Sequence, residues 1–188
     1  MKRIYLILTY SGTILSRIIK IYTRDEFAHV SISLDEELKQ MYSFGRLNPY
    51  NPFIGGFVHE GINTGTFRRF IKTKTEIYSL EVNEDQYNSI EKIIRDIETC
   101  ENPYKFNIIG LFAVSIKKKI KTEHSFYCAE FVKYVLENSG IKTNLPEIIR
   151  PENFKTLENI KLEYKGRLIG YKVSRNRKNF LKANLNGV

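Results

Sequence analysis

The segment FAHVSIS, residues 27–33, alternates apolar and polar positions. Ala28, Val30 and Ile32 fall on one side, while His29 falls on the other side with two serines. A period of two is typical of a β-strand with one buried face. From this pattern alone, His29 is either a polar residue on a solvated face or a residue turned toward a cleft.

Further apolar segments predict additional strands and one irregular connection. The predicted strands cover residues 2–9, QMYSFGR (40–46), TEIYSLEV (75–82) and RLIGYKV (167–173). Two prolines and a Gly-Gly pair in NPYNPFIGGF (48–57) predict a structured loop, since both residue types interrupt regular structure.

Helical spacing of apolar residues predicts helices over TILSRIIKIY (13–22), over residues 107–118 and over 128–139. Asn83 followed by Gln86 forms a capping-box pattern at the start of another helix. Mixed helices and strands in this order predict an α+β fold in which an antiparallel sheet packs against helices. We expect a single domain over residues 1–188, with a basic C-terminal extension from about residue 161.

Composition fits this fold class and leaves the partners open. The chain has 188 residues, of which 42% are hydrophobic and 13% aromatic, and this excludes a disordered chain. The net charge of +9 is concentrated at residues 117–121 and from Lys161 onward. Such clusters are either solvated surface or surfaces that attract nucleic acid or anionic lipid.

Several chemistries lack their sequence pattern. The two cysteines, Cys100 and Cys128, form neither a C-x-x-C pair nor a disulfide framework, and no H-E-x-x-H, P-loop or G-x-G-x-x-G pattern occurs. We therefore expect no metal and no cofactor. The apolar segments MKRIYLILTYSGTIL and FNIIGLFAVSI are too short or too interrupted for a signal peptide or a membrane span, so we expect a cytoplasmic protein.

Cys128 begins the predicted helix of FYCAEFVKYVLENSG. A thiol at a helix N-terminus experiences the positive end of the helix dipole, which favours the nucleophilic thiolate. The backbone N–H groups there can also bind the oxyanion of a tetrahedral intermediate. The alternative is an ordinary buried cysteine that acts as a small hydrophobic residue.

Three stretches together resemble the circularly permuted papain-like group of the NlpC-type superfamily, in particular its YiiX-like and YycO-like members. They are the H-V-x-I strand at His29, the Y-K-F triplet at Tyr104, and the C-A-E-F-V helix start at Cys128. In the permuted group the histidine strand precedes the cysteine helix, as it does here. The resemblance covers roughly residues 1–145 and implies a permuted papain-like fold. Many members also have a G-D-I-L stretch near the start, where this chain reads LILTYSGTIL.

The resemblance implies a cysteine hydrolase (peptidase or amidase) that cleaves amide or peptide bonds, including those of cell-wall-derived peptides. Cys128 is then the nucleophile and His29 the general base. The superfamily takes its third polar residue from the strand after the histidine strand, and Ser43 matches that position best. Candidate substrate-binding residues are Tyr42, His59, Tyr104 and Tyr127.

Four other polar residues have alternative interpretations. Glu130 points away from the thiol on a helix, so we expect it at the helix N-terminus or on a neighbouring loop. His124 fits a surface loop better than the site. His59 and Glu60 form an adjacent pair that can line a substrate groove.

Two further functions stay open at this level. One is a lipid-directed acyltransferase or phospholipase on the same fold, in peripheral contact with an anionic membrane through the lysine-rich clusters. The other is a non-enzymatic binding module that uses the basic tail with Tyr171 and Phe180, although no specific nucleic-acid motif occurs. The expected substrate is a small peptide, an amide or a lipid-like molecule, and the sequence leaves the oligomeric state open.

Overall fold

The structure, a computed structural model, describes residues 1–48, 51–107, 110–111 and 124–176, with residues 48 and 51–54 described by their backbone alone. Strands and helices alternate along these segments. In chain order they are β1 (Lys2–Tyr10), α1 (Ile14–Thr23), β2 (His29–Ser33), β3 (Met41–Asn48), β4 (Asn51–Glu60), α2 (Gly65–Arg69), β5 (Lys74–Val82), α3 (Glu84–Glu98), β6 (Lys105–Phe106), β7 (Ser125–Phe126), α4 (Cys128–Asn138), a 3₁₀ helix (Pro151–Thr156), β8 (Lys161–Arg167) and a second 3₁₀ helix (Leu168–Gly170).

The strands form one mixed sheet in the order β7-β6-β4-β3-β2-β1-β5-β8. Neighbouring strands are antiparallel except β6 and β7, which are parallel. The combination of this sheet with separate helices confirms the predicted α+β class. The register pairs Thr9 at the end of β1 with His29 at the start of β2.

Strand β1 explains why the N-terminal apolar segment is continuous. Ile4, Leu6 and Leu8 belong to a large core cluster that includes residues of α3 and α4, whereas Tyr5 and Ile7 belong to a second cluster. Both faces of this central strand are therefore buried, and such strands read as unbroken apolar runs.

The predicted helix starts and most strands are confirmed. In the α3 capping box, Gln86 N donates to Asn83 Oδ1 (2.8 Å) and Asn83 N donates to Gln86 Oε1 (3.1 Å). Helix α4 begins at Cys128 and is followed by Gly140 at φ 80°, a conformation that favours glycine. The helix predicted over residues 107–118 lies mostly outside the described residues, and its described part, 110–111, is helical and buried.

Two predictions are wrong, that of a loop at 48–57 and that of a strand at 167–173. Most of the predicted loop at 48–57 belongs to β4, and Gly55 serves close packing there and not a turn. A Cβ at Gly55 would lie 2.6 Å from Gly45 O and 2.7 Å from Phe106 Cβ. The late strand is Lys161–Arg167, and RLIGYKV is largely helical.

The start of the basic extension is part of the folded domain. Strand β8 pairs with β5 and extends the edge of the sheet. Tyr171 is buried and its hydroxyl donates to Glu36 O (2.9 Å). Residues from 161 to at least 171 therefore pack on the same body as the rest of the chain.

Candidate active site

His29 and Cys128 line the same cavity, although they are far apart in the sequence. The cavity has a volume of about 70 Å³, and both side chains line it together with Gly45, Arg46 and Glu60. Cys128 is close enough to the imidazole for a side-chain hydrogen bond that raises the pKa of His29. The structure thus brings the predicted thiol and imidazole together.

Glu60 holds the other side of the imidazole. Its Oε2 lies 3.0 Å from His29 Nε2, and the same oxygen accepts a 2.5 Å hydrogen bond from Ser31 Oγ. Ser31 Oγ is also 3.3 Å from His29 Nε2. Because Nε2 faces Glu60, Nδ1 is the ring nitrogen that remains for the thiol of Cys128.

The acid and the imidazole change each other's pKa. Burial lowers the pKa of His29, but the charge of Glu60 and the hydrogen bonds that the protonated ring donates to Cys128 and Glu60 outweigh it, so the pKa lies well above the usual 6.5. Burial raises the pKa of Glu60, yet the charge and hydrogen bond of His29 and the hydrogen bond from Ser31 lower it overall. The pair is therefore imidazolium and carboxylate near neutral pH.

The position of His29 follows from the ends of β1 and β2. Ala28 N donates to Thr9 O (3.1 Å), and Phe27 N donates to Glu152 Oε1 (2.9 Å), so the chain entering β2 is held on both sides. The serine side of β2 is not solvated, since Ser31 and Ser33 are fully buried. His29 itself keeps 23% of its side chain exposed, which leaves it turned toward the cavity.

The start of α4 fixes the position of Cys128, and the first backbone N–H groups of this helix have no intrahelical acceptor. The first intrahelical bond runs from Phe131 N to Tyr127 O (3.0 Å), so the N–H groups of Cys128 and Ala129 precede it. Tyr127 anchors this turn, because its hydroxyl donates to Ile149 O (2.9 Å) from a buried position. Helix α4 packs on β2, which carries His29, and on β3.

Ser43, predicted as the third catalytic residue, does not reach the imidazole. Its buried hydroxyl donates to Val30 O (2.8 Å), a backbone contact between β3 and β2. The hydrogen bond to His29 comes instead from Glu60, one strand further along the chain. The sequence did contain a signal for this residue, the adjacent pair at 59–60.

Successive residues of a strand point to opposite sides, so only one member of the pair at 59–60 can face His29. Glu60 does so, and His59 Nε2 lies 2.7 Å from Glu98 Oε1 on α3. His59 nevertheless lines a second cavity of about 370 Å³, which it shares with Glu60 and Arg46.

The predicted substrate-binding tyrosines do not line either cavity. The hydroxyl of Tyr42 donates to Gln40 Oε1 (2.7 Å), and Tyr127 is an anchor of α4. Tyr104 stacks on His124 with ring centroids 3.8 Å apart. These three residues therefore have structural contacts, while Phe106, close to Tyr104 in sequence, lines the cavity of Cys128.

The remaining polar candidates lie where the sequence predicted them. Glu130 caps the start of α4, since its Oε2 accepts hydrogen bonds from Tyr127 N (3.3 Å) and Asn107 Nδ2 (3.4 Å). His124 is on the surface and its Nε2 is hydrogen-bonded to Asn102 O. The lysine cluster at 117–121 and Phe180 of the tail lie outside the described residues.

Two negative findings apply to the described part of the chain. It contains no group of three or more His, Cys, Asp or Glu side chains arranged to hold a metal ion. None of its helices combines the length and the apolar character needed to cross a membrane.

A scan against protein-family models finds none that matches the chain, and a search of curated proteins also finds no match. The support for a function therefore comes from the residues of the site and from the motifs in the sequence.

Proposed function

We propose that the chain is a cysteine hydrolase of the permuted papain-like type, which cleaves amide or peptide bonds through an acyl-enzyme on Cys128. One observation carries the proposal: a cysteine at a helix N-terminus shares a cavity with an imidazole whose far nitrogen is held by a partly buried carboxylate. This is the nucleophile, base and orienting residue of a catalytic triad, in the order Cys128, His29, Glu60.

In the first half-reaction, the Cys128 sulfur, paired as a thiolate with the protonated His29, attacks the substrate carbonyl carbon. The resulting oxyanion is stabilised by the N–H groups of Cys128 and Ala129. The C–N bond then breaks, the amine leaves with the proton from His29, and the acyl group stays on the sulfur as a thioester. Glu60 stabilises the imidazolium and fixes the ring through Nε2.

In the second half-reaction, His29 takes a proton from an incoming water molecule, which attacks the thioester. The carboxylic acid leaves, and the thiolate of Cys128 and the protonated His29 are restored. An amine or alcohol in place of water would make the same site an acyltransferase.

The test compares the two cysteines with iodoacetamide near pH 7, followed by mass spectrometry of each peptide. Cys128 is 3% exposed and Cys100 is half-buried, so burial alone predicts faster labelling of Cys100. An activated thiolate reverses this order, and we expect Cys128 to react on the order of tenfold faster or more. Equal, slow labelling of both thiols in the folded protein would contradict the proposal.

A second candidate, a lipid-directed acyl hydrolase or acyltransferase on the same site, is favoured by the outer face of α1. Ile14, Ile21 and Tyr22 expose 79%, 73% and 61% of their surface on this helix. Arg17 and Lys20 flank that apolar stripe, a pattern typical of helices that lie on an anionic membrane surface.

Sedimentation with anionic vesicles tests this candidate. We expect salt-sensitive binding that weakens several-fold in Ile21→Ser, because a buried isoleucine side chain contributes about 1.5–3 kcal/mol. Ile71→Ser is the matched control, since Ile71 is also exposed (57%) but lies outside α1. Absence of binding to anionic vesicles at low salt would exclude the lipid-directed function, and the peptide or amide substrate would remain.

A further inference from the structure

Arg46 of β3 lies where the two cavities of the site meet. It lines the cavity of His29 and Cys128, and it also lines the larger cavity beside His59. Glu60, Thr66 and Phe67 are common to both linings, so the two spaces adjoin along one wall.

The guanidinium of Arg46 has no hydrogen bond or ion pair to any residue in the described part of the chain, and its side chain is half-buried. Burial lowers its pKa, and no anion among the described residues offsets this. Glu60, the one carboxylate among the described lining residues, is already bound to His29 and Ser31. A partly desolvated cation without a counter-ion is costly, and a bound anion would remove that cost.

The larger cavity also limits what the ligand can be. Besides Arg46, its lining includes the apolar side chains of Leu47, Phe57, Val58 and Phe67. A ligand that fits this space therefore combines an anionic group with an apolar portion, and the adjoining cavity presents the Cys128 sulfur to the same molecule.

We propose that Arg46 binds an anionic group of the substrate, a carboxylate or a phosphate, beside the acyl carbon that Cys128 attacks. The inference rests on the proposed function and specifies its substrate class. Guanidinium suits this role because its planar N–H donors match the two oxygens of a carboxylate or phosphate.

The test uses two alkylating reagents that differ in charge, iodoacetate and iodoacetamide. With each, the thiolate of Cys128 displaces iodide and forms the same kind of C–S bond. In Arg46→Gln we expect the rate ratio of iodoacetate to iodoacetamide at Cys128 to fall on the order of fivefold, because the attraction between Arg46 and the carboxylate is lost.

Two variants serve as controls. Arg46→Lys keeps the charge and should retain most of the ratio, but with weaker binding of a planar anion. Arg3→Gln changes the net charge equally at a surface residue that pairs with Glu81 (3.8 Å), so its ratio should match the wild type.

The source of the anion is distinguished by protection. Succinate and inorganic phosphate are each added during labelling with iodoacetamide, and the anion that slows labelling in the wild type but not in Arg46→Gln identifies the preferred group. Protection by neither anion, together with an unchanged reagent ratio in Arg46→Gln, overturns the inference. Rapid iodoacetamide labelling in that case leaves the proposed function intact, whereas slow labelling of Cys128 by both reagents removes both proposals.

Discussion

Two carboxylates among the described residues have similar partners and different consequences: Glu76 is buried, and Glu60 is partly buried with 16% of its side chain exposed. Glu76 on β5 binds Lys165 (2.6 Å), Lys155 (2.8 Å) and the hydroxyl of Tyr78 (2.7 Å). Glu60 on β4 likewise binds a nitrogen base and a hydroxyl, those of His29 and Ser31. Each acid is thus held by a cation and an O–H donor.

The difference lies in the partner and in the adjoining space. The lysines at Glu76 are charged at every physiological pH, and they tie β5 to β8 and to the 3₁₀ helix at 151–156. The partner of Glu60 is an imidazole, the side chain that most often takes part in proton transfer, and it lines a cavity with a thiol. A carboxylate therefore takes its role from its partner: the contacts of Glu76 are structural, and those of Glu60 support the proposed chemistry.

The largest expected effect is on stability, from Glu76→Gln. Burial raises the pKa of Glu76, but hydrogen bonds from Lys155, Lys165 and Tyr78 lower it to about 2 from an ordinary 4.5. We expect Glu76→Gln to lower the free energy of unfolding at pH 7 by about 3 kcal/mol, since one pKa unit corresponds to about 1.4 kcal/mol. Urea unfolding measures this loss.

The same experiment has a pH dependence with a defined sign. Because the folded pKa of Glu76 is lowered, its contribution is present above pH 4.5 and is lost as the pH falls toward 2. The stability gap between wild type and Glu76→Gln should therefore shrink over that window. A gap that stays constant from pH 7 to pH 2, or an altered labelling rate of Cys128, would contradict a purely structural role.

Glu60→Gln, unlike Glu76→Gln, is expected to lower activity. The amide keeps the size of the side chain but cannot stabilise an imidazolium, so hydrolysis of an activated ester such as p-nitrophenyl acetate should slow on the order of a hundredfold. Cys128→Ser provides the background rate. Unchanged ester hydrolysis in Glu60→Gln, with Cys128 still required, would show that the carboxylate is not part of the machinery.

The titration of His29 sharpens the comparison. Because its pKa is raised, the wild-type His29 ring stays protonated well above pH 6.5. The ion pair with Glu60 stabilises the folded state, and this contribution is lost as the pH rises through the pKa of His29 in the folded protein. In Glu60→Gln, loss of the negative charge should lower the midpoint by about one unit or more. The NMR signal of the ring Cε1–H measures this midpoint, and the His29→Asn variant assigns the signal. Equal midpoints in the wild type and in Glu60→Gln would show that Glu60 does not affect the titration of His29.

The smallest expected effect is the difference in ester hydrolysis between variants of two buried serines, Ser31 and Ser43. Ser31→Ala removes a hydrogen bond to Glu60, so ester hydrolysis should fall about threefold, consistent with a hydrogen bond of about 0.5–1.5 kcal/mol. Ser43→Ala should leave the rate unchanged, because Ser43 binds only the Val30 carbonyl among the described residues. The reverse ranking of the two variants would restore Ser43 as the orienting residue.

Local patterns in the sequence predicted much of the fold. Asn83 and Gln86 predicted the start of α3, because a capping box depends on residues within one turn, and the apolar spacing over 128–139 predicted α4. Gly55 wrongly suggested a loop, since the close approach of neighbouring strands that requires this glycine is not visible in the local sequence. The strand at 161–167 was missed because its pairing with β5 determines it more than its own apolar pattern does.

By itself, the sequence determined the α+β class, the helix that begins at Cys128 and a strand that contains His29. Only the tertiary structure decided that these two residues share a cavity, that Glu60 and not Ser43 binds the imidazole, and that Glu76 is neutralised by two lysines. The physical reason is range: helix caps and strand periods are set by residues a few positions apart. The partners of a buried charge are set by the register of strands that are distant in sequence.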